Sequence, residues 1–397
     1  MAASVIVVSH RRHEWLERSL QSALDDADEV VLVDNGSGGD VAAIGHGAGA
    51  RVVTLPENLG FPGGVNAGLE VAKGEVLALL NDDAFCDPGW LATSAEVLRD
   101  PTVGAVAAKM VFALPFAEVR FADDPHFVGA DPRPLGRMIR SVRVRGADGD
   151  LLERLVGPGV HRVEHGVIDG AEAGWRWTTG RDAIYVPLPA GAAATDVEIN
   201  GAPAPVTGEV TIVNSAGTYL SAHGFGGDYG FGAPDDGSLD EPAERFGVCG
   251  GALVTRRDVV DRVGPFAADF FAYYEDLDWS WRMRLAGFSA RYEPSAVVRH
   301  VGGVTTGGPA AAAVKALASR NRLRCLARNA PLRVLPEEIR LTLRDSPPPG
   351  LARHLAADLP RALAQRRSLR TAWRLSADEV WRRWAGADER WPGSPPG

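Results

Sequence analysis

The segment Asn58-Leu59-Gly60-Phe61-Pro62-Gly63-Gly64-Val65-Asn66-Ala67-Gly68, followed by Leu79-Leu80-Asn81-Asp82-Asp83, most constrains what this chain can fold into. A glycine-dense turn opens a helical pattern. One helix later, an apolar run stops on two adjacent carboxylates. Glycines let backbone come close to a ligand. In open α/β sheets the strand ends carry side chains to the rim where ligands bind. Hard divalent cations take oxygen ligands of this kind and share them with substrate phosphates. The pair of features therefore suits strand–turn–helix units whose rim holds a nucleotide diphosphate and its metal ion.

The neighbouring pattern agrees. Apolar runs near 4–8, 29–33, 51–54, 76–80 and 103–107 alternate with helical patterns near 13–24, 63–72 and 89–99. Such alternation predicts a mostly parallel sheet with helices on both faces. Pro88 stands where a helix would start and Gly74 where one would stop. Residues 113–245 break this rhythm. Between about 150 and 213 the period turns to two, and Pro158, Gly180, Pro189, Gly191, Gly201 and Gly208 punctuate short runs. A β-rich insertion is expected there, either a structural elaboration or dimer contact, or a module that helps bind an acceptor. Trp175 and Trp177 are two residues apart, so on a strand they face one side. The segment 214–232 is rich in glycine and aromatic residues and reads as a connector or a mobile loop. Residues 246–330 return to α/β character, with a helix over 277–286 and another over 310–329. Residues 331–397 form a helical tail split by Pro347-Pro348-Pro349-Gly350, with disorder expected after Ala387.

The 397 residues suit two or three units, and the apolar content of 45% is ordinary for a globular protein. A net charge of −9 argues against a partner that coats nucleic acid. The three cysteines, Cys86, Cys249 and Cys325, have neither disulfide-framework nor zinc spacing, so a reducing compartment is the simpler reading. Neither a signal peptide nor a spanning apolar segment is visible. The tail carries 12 arginines against 8 acids, net +4. Three of its tryptophans, Trp373, Trp381 and Trp384, lie among Arg366, Arg367, Arg370, Arg374, Arg382 and Arg383. That mix suits an interfacial helix or a subunit contact equally.

Three further blocks complete the pattern: Val33-Asp34-Asn35-Gly36-Ser37, Tyr273-Tyr274-Glu275-Asp276-Leu277-Asp278-Trp279 and Val297-Val298-Arg299-His300. With the glycine turn and the Leu-Leu-Asn-Asp-Asp strand end, in this order, the chain resembles the family 2 glycosyltransferases. The likeness is greatest to their rhamnosyltransferase-like branch, over about residues 3–112 and 246–330. The joint occurrence is specific, whereas each motif alone is weak. The resemblance implies the A-type glycosyltransferase fold, Rossmann-like and mostly parallel, here with a β-rich insertion and a helical C-terminal tail. It divides the chain into a nucleotide-sugar half (1–112), the insertion (113–245), an acceptor half (246–330) and the tail (331–397).

It also implies site roles. Asp34 would bond the pyrimidine base, although Asp34-Asn35-Gly36 is equally a turn signal. Ser9 and His10 would line the same pocket. Asn58, Gly60, Gly63, Gly64 and Asn66 would lie beside the nucleotide, with a purely structural role for the glycines left open. Asp83 would ligate the cation. Side chains alternate at a strand end, so Asn81 shares its direction while Asp82 points elsewhere, to the sugar, the ribose or solvent. Where this branch often writes proline, the chain has Asp82. His300 would be a second ligand, a preference for Mn2+ over Mg2+. Asp276 would be the general base, kept ionised by a helix N-terminus, with Glu275 holding the acceptor. Asp278 reads as an ordinary first-turn acid, and Trp279 and Trp281 as packing. Arg320 and Arg322 suit either a diphosphate or a solvated face.

The expected activity is inverting transfer of L-rhamnose or another hexose. The donor is a dTDP- or UDP-sugar, and the acceptor is a hydroxyl of a glycan, a lipid-linked glycan or a small molecule. A cell-wall or polysaccharide role follows from the resemblance. The expected location is cytoplasmic, with the inner membrane face or a homo-oligomer engaged through the tail. Two rivals are a non-catalytic sugar-binding scaffold on a transferase fold and a sugar nucleotidylyltransferase. The second would need a glycine-rich phosphate loop after the first strand, where this chain has Ser9-His10-Arg11-Arg12.

Overall fold

The computed structural model describes the chain except residues 128–132, 162, 169–170, 181, 303–309, 345–349 and 388–397. The proline-rich break and the expected disorder after Ala387 therefore lie outside the described residues, Gly350 and Ala387 themselves excepted. The chain divides into two compact units. The first comprises Met1–Met110, Ser215–Tyr229 and Asp240–Glu389. The second comprises Val111–Asn214 and Gly230–Leu239.

The first unit is built on one large sheet. Its strands include β1 (Ala3–Ser9), β2 (Glu29–Asn35), β3 (Arg51–Leu55), β4 (Val76–Asn81), β5 (Ala84–Cys86), β6 (Val103–Phe112), β7 (Ala243–Arg245), β8 (Ala252–Arg256) and β9 (Ser289–His300). The order is β7-β9-β6-β8-β4-β1-β2-β3, with β5 paired to β9. β3, β2, β1 and β4 are parallel to their neighbours. β8 then runs antiparallel to both β4 and β6, so the sheet is mixed beyond the expected parallel core. β1 and β4 are nearly continuous apolar runs, as strands covered on both faces must be. Val5, Val7, Leu80 and Val254 share one core cluster with Leu16, Leu20 and Ala23.

Those last three side chains define the buried face of helix α1 (Leu16–Asp26), spaced four and then three apart. Helices α2 (Asp40–Ala48), α3 (Gly60–Val71) and α4 (Trp90–Val97) follow. α2 escapes the sequence pattern because its alanines and glycines carry almost no hydrophobic period. The second half adds α5 (Arg257–Val263), α6 (Glu275–Leu285) and α7 (Ala310–Asn329), then α8 (Leu335–Arg344), α9 (Leu351–Leu369) and α10 (Ala377–Trp384).

The tail helices share a core cluster with α6 and α7. Trp381 stacks on Trp281 with ring centroids 5.9 Å apart, and Trp384 meets Phe246 edge-on at 6.2 Å. Trp373 lies under the guanidinium of Arg366. These three tail tryptophans are thus engaged within their own unit. Among the described residues, no helix is long and apolar enough to cross a membrane.

The second unit is β-rich. It holds three small antiparallel sheets: Glu164–Ile168/Ala171–Trp177/Met138–Ile139, Ile184–Pro187/Phe116–Val119/Val206–Val210, and Ala202–Pro203/Val197–Ile199/Val142–Val144. Ala117, Val119, Ile139, Val142, Val144, Ile184, Val186, Val197 and Ile199 give it a core of its own. Arg176 is buried there, with no carboxylate partner among the described residues, and donates to the carbonyls of His161 and Leu155, each at 2.7 Å. Burial pushes its guanidinium down to about 10.

Candidate active site

The rim of the parallel strands carries most of the expected residues. Asp34, at the end of β2, is fully buried. Its Oδ1 accepts the N–H of Ser37 at 2.8 Å, the Asx turn that the sequence offered. Its Oδ2 is buried and has no hydrogen-bond partner among the described residues. Ser9 is buried, and its hydroxyl donates to the carbonyl of Arg11 at 3.1 Å. His10 Nδ1 lies 2.8 Å from the carbonyl oxygen of Asn35.

Asn35 organises the glycine turn. Its amide nitrogen donates to Asn58 Oδ1 and to the Gly60 carbonyl at 3.1 and 3.0 Å, and its oxygen accepts from Leu59 N–H at 2.9 Å. Asn58 Oδ1 also accepts from Gly60 N–H at 2.8 Å. The turn is itself the first turn of α3. Gly60 has φ +73°, and a Cβ there would stand 2.2 Å from the carbonyl oxygen of Phe271. At Gly64 a Cβ would stand 2.4 Å from Val8 Cγ1, so this glycine lets α3 lie on β1. Gly63 is buried beside Leu59. Asn66 bonds both backbone groups of Phe266 at 2.9 Å, a tie between distant segments. These residues all have demonstrable structural duties, whatever else they contact.

The strand-end acids diverge as alternation requires. Asp83 Oδ1 meets His300 Nε2 at 3.1 Å, across 217 residues of sequence. Asn81 Nδ2 reaches the same ring nitrogen at 3.4 Å. Asp82 turns away to His13 Nε2 at 3.0 Å. The device that joins Asp83 to His300 is β5, which pairs antiparallel with the end of β9 and sets Ala84 opposite His300. Burial pushes the Asp83 carboxyl up, but the contact with His300 wins and holds it below its ordinary value. The hydrogen bond to Asp82 lifts His13 above its own ordinary value.

A cation suits this corner by the chemistry of its donors: one carboxylate, one imidazole and an amide converge there. Among the described residues no group of three or more His, Cys, Asp or Glu side chains gathers as a metal cage. The protein would supply two ligands and a diphosphate the rest, an arrangement common for phosphate-bound cations.

The remaining expected acids stand at the N-terminus of α6. Phe271, Tyr273 and Tyr274 precede it at φ +65°, +65° and +72°. Such backbone is costly outside glycine and persists only where the surroundings over-determine it. Asn321 supplies that restraint: its amide donates to the carbonyls of Phe270, Ala272 and Tyr273 at 2.9, 2.8 and 2.9 Å. Phe61 N–H adds a bond to the Phe271 carbonyl at 2.8 Å. Asp276 Oδ2 then accepts from Gly250 N–H at 3.0 Å, and Oδ1 from Leu277 N–H at 2.7 Å.

The helix-dipole argument predicts a lowered pKa for Asp276, and the structure corrects it. Burial outweighs both donors and raises the carboxyl above its ordinary value. Glu275 is 7% exposed, and its Oε2 has no hydrogen-bond partner among the described residues. Burial, followed by the charge of Asp276, raises it to about 8.

Two other expectations are overturned. Asp278 is no ordinary first-turn acid: it is fully buried and accepts from Arg282, Arg328 and Asn329 at 2.8, 2.7 and 2.7 Å. Burial pushes its carboxyl up, but Arg328 and Arg282 prevail and hold it at about 2. Arg322 faces neither diphosphate nor solvent. It is buried, bonds Glu338 at 2.9 Å, and its guanidinium lies over Phe225. Arg320 is paired with Asp358 at 2.9 Å. Trp279 and Trp281 pack as expected, Trp279 stacking on Phe266 at 5.5 Å. Sequence reasoning missed His13, Asn35 and Asn321. Only Asn35 had a local signal, its place in the Asp-Asn-Gly turn.

Residues 4–138 match the family model described as Glycosyl transferase family 2. That span holds the Asp34 turn, the glycine turn and Asp83, but neither Asp276 nor His300. The chain is 32% identical over 111 residues to Uncharacterized protein MT1568 of Mycobacterium tuberculosis (strain CDC 1551 / Oshkosh), covering 26% of this chain and 35% of that protein. Among solved structures it is similar to GalNAc-T7 with UDP, GalNAc and Mn2+, with TM-score 0.47 and 13% identity, over 83% of this chain and 48% of that one. It is also similar to a mannosyltransferase from Pyrobaculum calidifontis in complex with GDP-Man and Mn2+, with TM-score 0.40 and 16% identity, over 96% of this chain and 78% of that one. The chain thus spans about a third of the curated relative's length.

Proposed function

We propose that this protein is a family 2 glycosyltransferase that moves a sugar from a nucleoside diphosphate to a hydroxyl group. The observation that carries the reading is the meeting of Asp83 and His300 at 3.1 Å on the sheet rim, within reach of Asn81. The family match over residues 4–138 supports it. The donor is a dTDP- or UDP-sugar, with L-rhamnose favoured by the motif spelling. The unpartnered Oδ2 of Asp34 accepts the imide N–H of the pyrimidine. Ser9, His10 and the Asn58–Asn66 turn shape the pocket around it.

Asp83 and His300 would hold Mn2+ or Mg2+, which when bound supplies Lewis-acid neutralisation of the leaving diphosphate. Asp276 takes the proton of the acceptor hydroxyl as its oxygen attacks the anomeric carbon. The bond from that carbon to the diphosphate oxygen breaks on the opposite face, and the configuration inverts. A carboxylate raised toward neutrality by burial is a stronger base than an ordinary one, which suits the task. The exposed Arg382 of the tail, beside Arg383 with its ion pair to Glu244 at 2.8 Å, offers positive charge to a membrane surface or a second copy.

Thermal melting with a panel of UDP-, dTDP- and GDP-sugars, with and without Mn2+, tests the reading. A donor at 100 times its dissociation constant stabilises by about 2.7 kcal/mol. UDP- or dTDP-sugars should do so only with metal. If no nucleotide sugar shifts the melt, the reading is wrong.

A further inference from the structure

Phe61 belongs to the glycine turn by sequence, yet it touches the segments that hold Asp276. Its N–H donates to the carbonyl of Phe271 at 2.8 Å, in the strained loop that leads into α6. Its ring lies on Gly250. A Cβ there would stand 3.3 Å from Phe61 Cε1, 3.4 Å from Asp276 Cβ and 3.6 Å from Asp276 Oδ2. Ring and carboxylate thus close on the same bare glycine. Gly250 also donates its N–H to Asp276 Oδ2 at 3.0 Å.

Two paths therefore run from the turn to the candidate base. One is backbone, from Phe61 to Phe271 and along residues 271–275, whose shape Asn321 holds from behind. Gly60 leaves no slack in it, since a Cβ there would stand 2.2 Å from the Phe271 carbonyl oxygen. The other path is the ring, which bears on Gly250. The N–H groups of Gly250 and Leu277 aim the carboxylate, so a shift of Gly250 re-aims it. Close-packed contacts have low compressibility and transmit such displacements. A misplacement of about 1 Å can cost about a hundredfold in rate.

We infer that Phe61 is a positioning residue for Asp276, transmitting the state of the nucleotide turn to the base. The inference rests on the glycosyltransferase reading and adds a link to it. A donor seated at Asn58–Asn66 fixes the first turn of α3. Phe61 then fixes Gly250, and Gly250 aims the carboxylate. In this role Phe61 acts through Gly250 and the Phe271 loop, not on the substrate.

The test uses the full chain, the UDP- or dTDP-sugar that shifts the melt, Mn2+, and water as the acceptor. In this hydrolysis a water proton passes to Asp276, the water oxygen bonds the anomeric carbon, and the nucleoside diphosphate that leaves is assayed. Phe61→Leu and Phe61→Ala should lower kcat about tenfold and about a hundredfold, with the donor KM and the nucleoside diphosphate dissociation constant within about twofold of wild type. Gly250→Ala should also lower kcat, because its methyl presses on ring and carboxylate. The double variant Phe61→Ala/Gly250→Ala should lose less than the product of the two single losses, since the methyl fills part of the space the ring leaves. A purely structural Phe61 would lower the melting temperature and leave kcat of the folded protein unchanged. Unchanged kcat in Phe61→Ala, or single losses that simply multiply, overturns the link. The backbone amide resonance of Gly250 reads the same contact without turnover, so it serves where wild type hydrolyses too slowly or Phe61→Ala does not fold. In wild type it should shift on saturation with that donor's nucleoside diphosphate and Mg2+. In Phe61→Leu the shift should largely vanish although the nucleotide still binds. An equal shift in both proteins, or none in wild type, overturns the link while the donor reading stands. If no nucleotide sugar binds wild type, the transferase reading beneath it fails instead.

Discussion

The two sides of α6 treat their acids in opposite ways. On the rim side, among the described residues, Glu275 has a buried oxygen with no partner, and Asp276 accepts from backbone N–H groups. On the buried side, less than one turn further on, Asp278 is saturated by Arg282, Arg328 and Asn329. The first pair is pushed up by burial, whereas the second acid is held at about 2 by its arginines. Asp278 is fully buried and Glu275 is 7% exposed, so it is satisfaction rather than burial that separates a group available to a ligand from one committed to the fold. Burial alone would have ranked Asp278 as the better candidate.

The comparison breaks if the committed side proves dispensable. Truncation after Thr371 should have the largest effect. It removes Trp381 and Trp384 and uncovers Trp281 and Phe246, and losing one such aromatic costs about 3–5 kcal/mol. The truncated chain should be unfolded or insoluble by circular dichroism and sedimentation. A soluble, cooperatively melting product would mean that the tail helices are peripheral.

Asp278→Ala strands two buried guanidiniums and should cost about 3–5 kcal/mol in urea unfolding. A loss under 1 kcal/mol, by the same principle, would remove the distinction between the two sides.

Asp276→Asn should instead spare the melt and cut turnover about a hundredfold or more. Turnover within a few-fold of wild type would return Asp276 to the structural class.

Asp83→Ala and His300→Ala should each weaken metal-dependent nucleoside diphosphate binding at least tenfold, a loss of about 1.4 kcal/mol or more. Asp34→Ala should weaken binding of the nucleoside with or without metal. Calorimetry separates the two patterns, and unchanged manganese dependence in His300→Ala would dismiss His300 as a ligand.

The subtlest difference is in pH. The native pKa of Asp278, about 2, lies below the unfolded value near 3.9. Its stabilisation is complete above about pH 4 and is lost as pH falls toward 2. Glu275 is the reverse, about 8 in the native state against about 4.3 unfolded. The native state keeps a proton that the unfolded state has released, so stability falls as pH rises from about 4.3 to 8 and then levels. Glu275→Gln should therefore raise the melting temperature most above pH 8, and a gain independent of pH would show that Glu275 is not the group that titrates.

The sequence by itself determined what is local. Alternation at the end of β4 sends Asn81 and Asp83 one way and Asp82 the other, because successive side chains on a strand must diverge. Strand-and-helix periodicity marked β1 to β4 and the helices between them, apart from α2, whose small residues have no period to read. The glycine turn was legible as a turn, but not that Gly64 is needed for contact with Val8 or that Asn66 ties to Phe266. Tertiary structure alone decided which partners each acid meets. His300 reaches Asp83 only through the pairing of β5 with β9, and Asp278 is claimed by arginines and an asparagine up to 51 residues away. Asn321 clamps a strained loop 48 residues before it, and Thr218–Leu220 pairs with Gly226–Asp228 in a segment that looked like a linker. Periodicity reports which face of an element is buried. The satisfaction of a buried charge depends on groups that only folding brings within hydrogen-bond distance.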